Sequence, residues 1–89
     1  SEQREIFAEF AALAAEGVKP ESDAALALAA KWQQHISDNF YKCTDEILAG
    51  LAEMYIADER FKANMNKAGE GTAELMSKAL KAYVRSRNC

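Results

Sequence analysis

The amino-acid sequence predicts an all-α domain, a compact bundle of about five helices. Composition favours helix, because the chain has one proline, only four glycines, abundant alanine and few β-branched residues. Apolar residues recur at intervals of three and four along five segments, and capping or breaking residues separate those segments. The 89 residues, 49% hydrophobic and 28% charged, suit one small globular core and not a disordered chain.

Serine caps and a glycine stop delimit the first two helices. Ser1 can accept a hydrogen bond from an unpaired N–H of the first helix, and Gly17 is expected to end that helix in a left-handed turn. After a connector at 18–21, Ser22 caps the second helix, which ends at 37–39 because those polar side chains compete for backbone hydrogen bonds. The apolar stripes are Ile6, Phe7, Phe10, Leu13 and Ala14, then Ala25, Leu28, Ala29, Trp32 and Ile36.

Polar caps also mark the three remaining helices. Thr44 is expected to cap the third helix, Asp58 a short fourth helix, and Thr72 the fifth, which follows a loop at 69–71. An apolar bend at 40–43 precedes the third helix. The inward-facing residues predicted for these helices are Ile47, Leu48, Leu51, Met54 and Tyr55, then Phe61 and Met65, then Leu75, Met76, Ala79, Leu80, Tyr83 and Val84.

Charge and hydropathy exclude several function classes. The net charge of −3 repels phosphate backbones and argues against direct nucleic-acid binding by this chain. No apolar run approaches the ~20 residues that span a bilayer, so no membrane association is expected. Cys43 and Cys89 lie far apart and are interpreted as reduced thiols of a cytoplasmic protein.

Catalytic and metal-binding patterns are weak. The chain has one histidine, His35, and lacks a glycine-rich phosphate loop followed by lysine. Carboxylates such as Asp45 and Glu46 stand at predicted helix starts, where they favour the helix dipole. We therefore expect no enzyme activity, metal or cofactor. His35 fits either a ligand contact or a half-buried histidine bonded to a neighbouring carbonyl, and the second arrangement is the commoner.

Large apolar side chains concentrate around the second, third and fourth helices. Most such stripes form the core of a small helical protein. Phe40 and Tyr41, however, lie in a bend, where side chains can line a groove, and tyrosine and tryptophan suit a partly wet site. The residues alone leave a binding groove and a plain core equally open. A groove could also serve a structural or protein-interaction module, by accepting a partner helix or an upstream segment of the same chain.

Two sequence elements resemble the TipAS antibiotic-recognition family: N-x-Y-x-C at 39–43 and M-Y-x-x-D-E-R-F at 54–61. The resemblance extends over nearly the whole chain and implies a globin-like all-α fold. It also implies the C-terminal effector domain of a MerR-type bacterial transcription regulator, with a cleft for large hydrophobic ligands such as thiopeptides. The ligand-binding residues expected on this basis are Trp32, His35, Ile36, Asn39, Phe40, Tyr41, Cys43, Leu51, Met54, Tyr55 and Phe61.

The same resemblance implies how the domain sits in a longer protein. Residues 1–89 would form a single TipAS-like domain, the folded core of a longer effector domain. DNA would be contacted only by a separate N-terminal domain. The full-length protein is then expected to be a homodimer and this domain a monomer.

One position departs from the family pattern. Thiopeptide-binding members carry two cysteines seven residues apart, and the second can form a thioether with a dehydroalanine of the drug. Cys43 matches the first cysteine, but Gly50 occupies the second position. Non-covalent binding is therefore expected. A glycine inside a helix lowers stability by about 0.5–1 kcal/mol relative to alanine. Close packing of a neighbouring helix is the preferred explanation for Gly50. Open space for a ligand is the alternative.

Overall fold

The computed structural model describes residues 2–88, which form an all-α fold of five helices. The helices are α1 (Glu2–Ala15), α2 (Asp23–Asn39), α3 (Asp45–Ala57), α4 (Glu59–Asn66) and α5 (Thr72–Arg87). The predicted number and order of helices are therefore confirmed. No helix within residues 2–88 has the length and apolar character needed to cross a membrane.

Helix α5 is the centre of the fold, because it contacts each of the other four helices. Its small side chains let neighbouring helices approach closely, and Ser77 donates a buried hydrogen bond of 2.8 Å to the backbone carbonyl of Ala52 in α3. Phe10 and Ile6 of α1 are completely buried in the same core. The buried residues of α5 are Thr72, Ala73, Leu75, Met76, Ser77, Ala79, Leu80 and Val84.

The predicted stop at Gly17 and the predicted cap at Ser22 are confirmed. Gly17 has a φ of 72°, and the N–H groups of Gly17 and Val18 donate to the carbonyls of Ala14 and Leu13. These two bonds make a Schellman motif, which satisfies carbonyls at the end of α1. The Ser22 side chain accepts from the N–H of Ala25 and starts α2. The connector between α1 and α2 is thereby fixed at both ends.

The predicted caps of α3 and α4 are also confirmed, but the prediction for α5 is wrong. Thr44 accepts from the N–H of Ile47, and Asp58 accepts from the N–H of Arg60. The residue before α5 is Gly71, whose φ of 86° turns the chain and makes Thr72 the first helical residue. Thr72 is buried and donates to the carbonyl of Gly69.

A side chain from α4 takes over the capping of α5. Asn66 accepts a hydrogen bond of 2.9 Å from the N–H of Ala73 through its side-chain oxygen. The capping residue thus lies seven positions before the N–H that it binds. The usual sequence signal, a serine or threonine directly before the helix, does not indicate such a cap. The remaining predicted cap, Ser1, and the predicted thiol of Cys89 lie outside the described residues.

The predicted buried stripe of α3 is wrong at Ile47, which is 40% exposed. The buried residues of α3 are Leu48, Ala52 and Tyr55, spaced at four and three, and α3 packs mainly against α5. Ile47 lies about 100° around the helix from Leu48 and therefore points away from this contact. Ala52, which the apolar pattern did not single out, is completely buried, and its carbonyl accepts the hydrogen bond from Ser77 of α5.

The close packing expected at Gly50 is also wrong. Gly50 is exposed, and a Cβ built at this position meets no atom within 4 Å. No neighbouring helix therefore requires a glycine here. The alternative, open space for a ligand, is right about the open space, but Gly50 does not line the apolar groove described below.

Two glycine substitutions are expected to change stability in opposite directions. Gly50→Ala should raise the free energy of unfolding by about 0.5–1 kcal/mol, because alanine restricts the unfolded chain and favours helix. Gly71→Ala should lower it by about 1–2 kcal/mol, because the left-handed backbone strains any Cβ. Urea denaturation of both variants beside the wild type measures these changes. A Gly50→Ala variant less stable than the wild type would contradict the open environment of α3.

Candidate ligand-binding groove

An open, largely apolar groove of about 250 Å³ lies between helices near the N-terminal end of α1. The bend after α2 forms one rim through Phe40 and Tyr41, and the start of α4 forms another through Phe61. Phe40 is 66% exposed, which is unusual for a phenylalanine in a small domain. The lining residues are Gln3, Phe7, Trp32, Ile36, Phe40, Tyr41, Leu51, Met54, Tyr55, Phe61, Asn64 and Met65.

The structure brings eight of the eleven expected ligand-binding residues together in this groove and leaves three elsewhere. The eight are Trp32, Ile36, Phe40, Tyr41, Leu51, Met54, Tyr55 and Phe61. His35, Asn39 and Cys43 are not among its lining residues. Met54 and Phe61 lie on the apolar stripes predicted to face the core. Both are nevertheless at least 36% exposed, because they face the open groove.

Trp32 is held in the groove wall by two aromatic contacts and one hydrogen bond. Its ring lies 5.3 Å from that of Phe7 and 5.4 Å from that of His35, measured between ring centroids. Its indole N–H donates a hydrogen bond of 3.2 Å to the hydroxyl of Tyr55. Trp32 is 5% exposed. The largest side chain of the groove is therefore fixed in one orientation before any ligand arrives.

Burial raises the pKa of Tyr55 to about 12, although the hydrogen bond from Trp32 opposes this shift. The tyrosinate form would place a negative charge in the apolar interior, where it is poorly solvated. Tyr41 and Cys43 are near enough to raise the pKa further by charge repulsion. At neutral pH the Tyr55 hydroxyl is therefore protonated.

This raised pKa predicts a loss of stability in alkali. An unfolded tyrosine ionises near pH 10, whereas folded Tyr55 keeps its proton until about pH 12. Stability from Tyr55 is therefore complete below pH 10 and lost as the pH rises towards 12. By pH 11 the loss should be about 1 kcal/mol.

Urea denaturation at pH 9, 10 and 11 checks this expectation. The wild type should lose more stability over this range than Tyr55→Phe, which has no proton to release. Tyr41→Phe, which changes an exposed tyrosine of the same groove, should follow the wild type. Equal losses in the wild type and Tyr55→Phe would show that Tyr55 does not titrate abnormally.

His35 connects the groove wall to the first turn of α1. It is 8% exposed, and its Nδ1 atom lies 2.5 Å from a carboxylate oxygen of Glu2. The side-chain amide of Asn39 donates a hydrogen bond of 2.8 Å to the backbone carbonyl of His35, so Asn39 supports the end of α2. The preferred prediction, a half-buried histidine bonded to a neighbouring carbonyl, is wrong in both parts, because His35 is buried and its ring bonds to the carboxylate of Glu2, 33 positions away in α1.

Cys43 is buried and lies beside a separate polar cleft. Burial raises the pKa of its thiol, and the nearby carboxylate of Asp45 raises it further. The backbone of Cys43 is held on both sides, because its N–H donates to Ser37 and its carbonyl accepts from Gln33. The thiol is therefore mostly protonated at neutral pH and is a poor nucleophile.

Sequence reasoning missed four lining residues: Gln3, Phe7, Asn64 and Met65. Phe7 was assigned to the core, and it is both buried and part of the groove wall. Asn64 stands three residues after Phe61, on the same face of α4, so helical spacing offered a signal for it. Gln3 carried no such signal, because its place in the groove depends on how α1 packs against α2.

The fold and this groove define a small helical domain with an open apolar groove on its surface. Within residues 2–88 no group of three or more histidine, cysteine or carboxylate side chains is placed to hold a metal ion. The groove contains rings and thioethers, and its polar groups are two tyrosine hydroxyls, an indole N–H and amides. Such a lining favours binding of multi-ring compounds.

Residues 1–83 match the TipAS antibiotic-recognition domain model, and the chain belongs to this family. It is 37% identical over 81 residues to the transcriptional activator TipA of Streptomyces coelicolor, covering 91% of this chain and 32% of TipA. It is 42% identical over 52 residues to the activator mta of Bacillus subtilis, covering 58% of this chain and 20% of mta. The chain thus spans a third or less of these curated relatives.

Two solved structures share the fold. One is TipAS of Streptomyces lividans in complex with the thiopeptide antibiotic nosiheptide, with a TM-score of 0.88 and 34% identity. That match covers 96% of this chain and 59% of the TipAS chain. The other is the antibiotic-binding domain of a TipA-class multidrug-resistance regulator, with a TM-score of 0.84 and 34% identity. That match covers 96% of this chain and 90% of the other chain. The expected fold family is therefore confirmed.

Proposed function

We propose that this chain is the drug-sensing domain of a MerR-type transcription regulator and binds a thiopeptide-like antibiotic in the groove. The observation that carries the proposal is the groove itself, in which eight residues expected at the ligand meet on one apolar surface. A structural relative at 34% identity binds nosiheptide. Burial of ligand rings against this surface supplies the driving force.

The proposed binding is non-covalent. Gly50, which replaces a reactive cysteine of thiopeptide-binding members, has no nucleophile. Cys43 is buried, and the raised pKa of its thiol opposes attack on a dehydroalanine. The groove volume of about 250 Å³ is small beside typical ligand pockets of roughly 300–1,000 Å³. The groove therefore receives a few rings of a large ligand and leaves the rest outside.

The remaining parts of the proposal concern the whole protein. Residues 1–89 are the folded core of a longer effector domain, in keeping with the 59% coverage of the TipAS chain. DNA binding belongs to a separate N-terminal domain, and the regulator is a cytoplasmic homodimer whose effector domain is monomeric. The domain is a sensor without catalytic activity. Ligand binding favours one arrangement of the effector domain and so biases the DNA-binding domains.

Titration of the chain with nosiheptide tests the proposal. Calorimetry should detect saturable binding, and amide NMR signals of Phe40, Tyr41, Met54 and Phe61 should shift together. Mass spectrometry under denaturing conditions should then return the unmodified chain mass. An added ligand mass would contradict non-covalent binding. If nosiheptide produces neither heat nor shifts, the sensing proposal fails, and a protein-interaction module becomes the better explanation.

A further inference from the structure

The hydrogen bond between Trp32 and Tyr55 leaves one donor of the groove without a partner. An indole nitrogen can only donate, so the hydroxyl oxygen of Tyr55 accepts the bond from Trp32. The hydroxyl hydrogen of Tyr55 must then point to a different acceptor. Within residues 2–88 no such acceptor is bonded to it.

This donor lies in an apolar setting. Tyr55 is 5% exposed and shares the groove wall with Leu51, Met54 and Phe61. The pKa of Tyr55, raised to about 12, keeps the hydroxyl protonated throughout the physiological range. A buried donor without a partner is unfavourable, and a ligand that supplies an acceptor removes this penalty.

The position of the hydroxyl is fixed before binding. Trp32 donates a hydrogen bond to it, and the Trp32 ring itself packs against Phe7 and His35. Tyr55 also lies against Phe61, with 6.0 Å between the ring centroids. A donor fixed in this way loses little conformational entropy when a ligand binds, and it therefore discriminates between ligands.

We infer that Tyr55 determines specificity in the groove by donating its hydroxyl hydrogen to an acceptor atom on an aromatic ligand. The inference rests on the proposed function and adds a chemical requirement to it: an apolar ring must carry a ring nitrogen or a carbonyl at its buried edge. Rings without an acceptor leave the donor unpaired and bind more weakly. The donation also makes the Tyr55 oxygen a better acceptor, so the bond from Trp32 becomes stronger.

Matched ring compounds test this requirement. Biphenyl and the three phenylpyridine isomers have the same shape and differ by one ring nitrogen. At least one isomer should bind the wild type about fivefold more tightly than biphenyl, as one net hydrogen bond predicts. Trp32 is the only tryptophan of the chain, so its indole signal is unique in a ¹H–¹⁵N spectrum. That signal should move downfield with the preferred isomer and not with biphenyl.

Two tyrosine variants separate the hydroxyl from the ring. Tyr55→Phe should keep the affinity for biphenyl and lose the advantage of the phenylpyridine, and it should weaken nosiheptide binding by about fivefold. Tyr83→Phe is the matched control, because it removes the hydroxyl of a tyrosine in α5 that does not line the groove, and it should bind these compounds as the wild type does.

The outcomes distinguish this inference from the proposed function. If nosiheptide binds Tyr55→Phe as tightly as the wild type, or if no phenylpyridine exceeds biphenyl, the role of Tyr55 is overturned while antibiotic binding stands. A phenylpyridine advantage that is lost equally in Tyr83→Phe would also overturn it. If neither nosiheptide nor any ring compound binds the wild type, the groove function itself fails, and the inference fails with it.

Discussion

Replacement of Trp32 by alanine is expected to lower the free energy of unfolding by about 3–5 kcal/mol and to abolish ligand binding. The side chain is 5% exposed and packs against the rings of Phe7 and His35. Its loss leaves a cavity beside the groove and removes the donor to Tyr55. The free energy of unfolding of a domain of this size is only about 5–10 kcal/mol, so the variant should be partly unfolded at 37 °C.

Urea denaturation followed by far-ultraviolet circular dichroism measures this loss. Trp32→Phe is the matched control, because it keeps a ring in the wall and removes the indole N–H. It should cost only about 1–2 kcal/mol and retain the fold. A Trp32→Ala variant that unfolds at the same urea concentration as the wild type would show that Trp32 is not part of the core.

Removal of both rim phenylalanines should weaken antibiotic binding with little effect on folding. Phe40 and Phe61 are 66% and 40% exposed, so Phe40→Ala with Phe61→Ala removes groove surface more than core. Each aromatic contact is expected to contribute about 1–2 kcal/mol, which gives a combined loss of roughly 30- to 1,000-fold in nosiheptide affinity. The stability change should stay within about 1 kcal/mol.

Two isoleucines provide the control for this double variant. Ile47 and Ile56 are 40% and 38% exposed, and neither lines the groove. Ile47→Ala with Ile56→Ala also removes exposed apolar surface, outside the groove, and should leave nosiheptide affinity within about twofold of the wild type. Equal losses in the two double variants would mean that the ligand binds to exposed apolar surface in general. Calorimetry with both variants gives the answer.

The helices were predictable from sequence because local chemistry determines them. Ser22, Thr44 and Asp58 accept the capping bonds expected of their side chains, and Gly17 adopts the left-handed turn that glycine favours. The cap of α5 was not predictable in this way. It depends on Asn66, whose position is determined by the packing of α4 against α5.

The groove was predictable in its residues but not in its geometry. Apolar spacing cannot distinguish Met54, which is exposed to the groove, from Leu48, which is buried under α5. The family resemblance grouped the rim residues into one expected ligand site. It also included Cys43 in that site, whereas the structure places Cys43 beside another cleft. The partners of His35 and Tyr55 depend on contacts between helices, and no local pattern encodes them.

The central position of α5 has a consequence for synthesis on the ribosome. The helix that contacts all the others is the last of the five along the chain. Residues 2–66 therefore leave the exit tunnel before the helix that α1, α2, α3 and α4 all pack against is available. Until α5 has emerged, the apolar surfaces that it covers are open to chaperones and to neighbouring nascent chains.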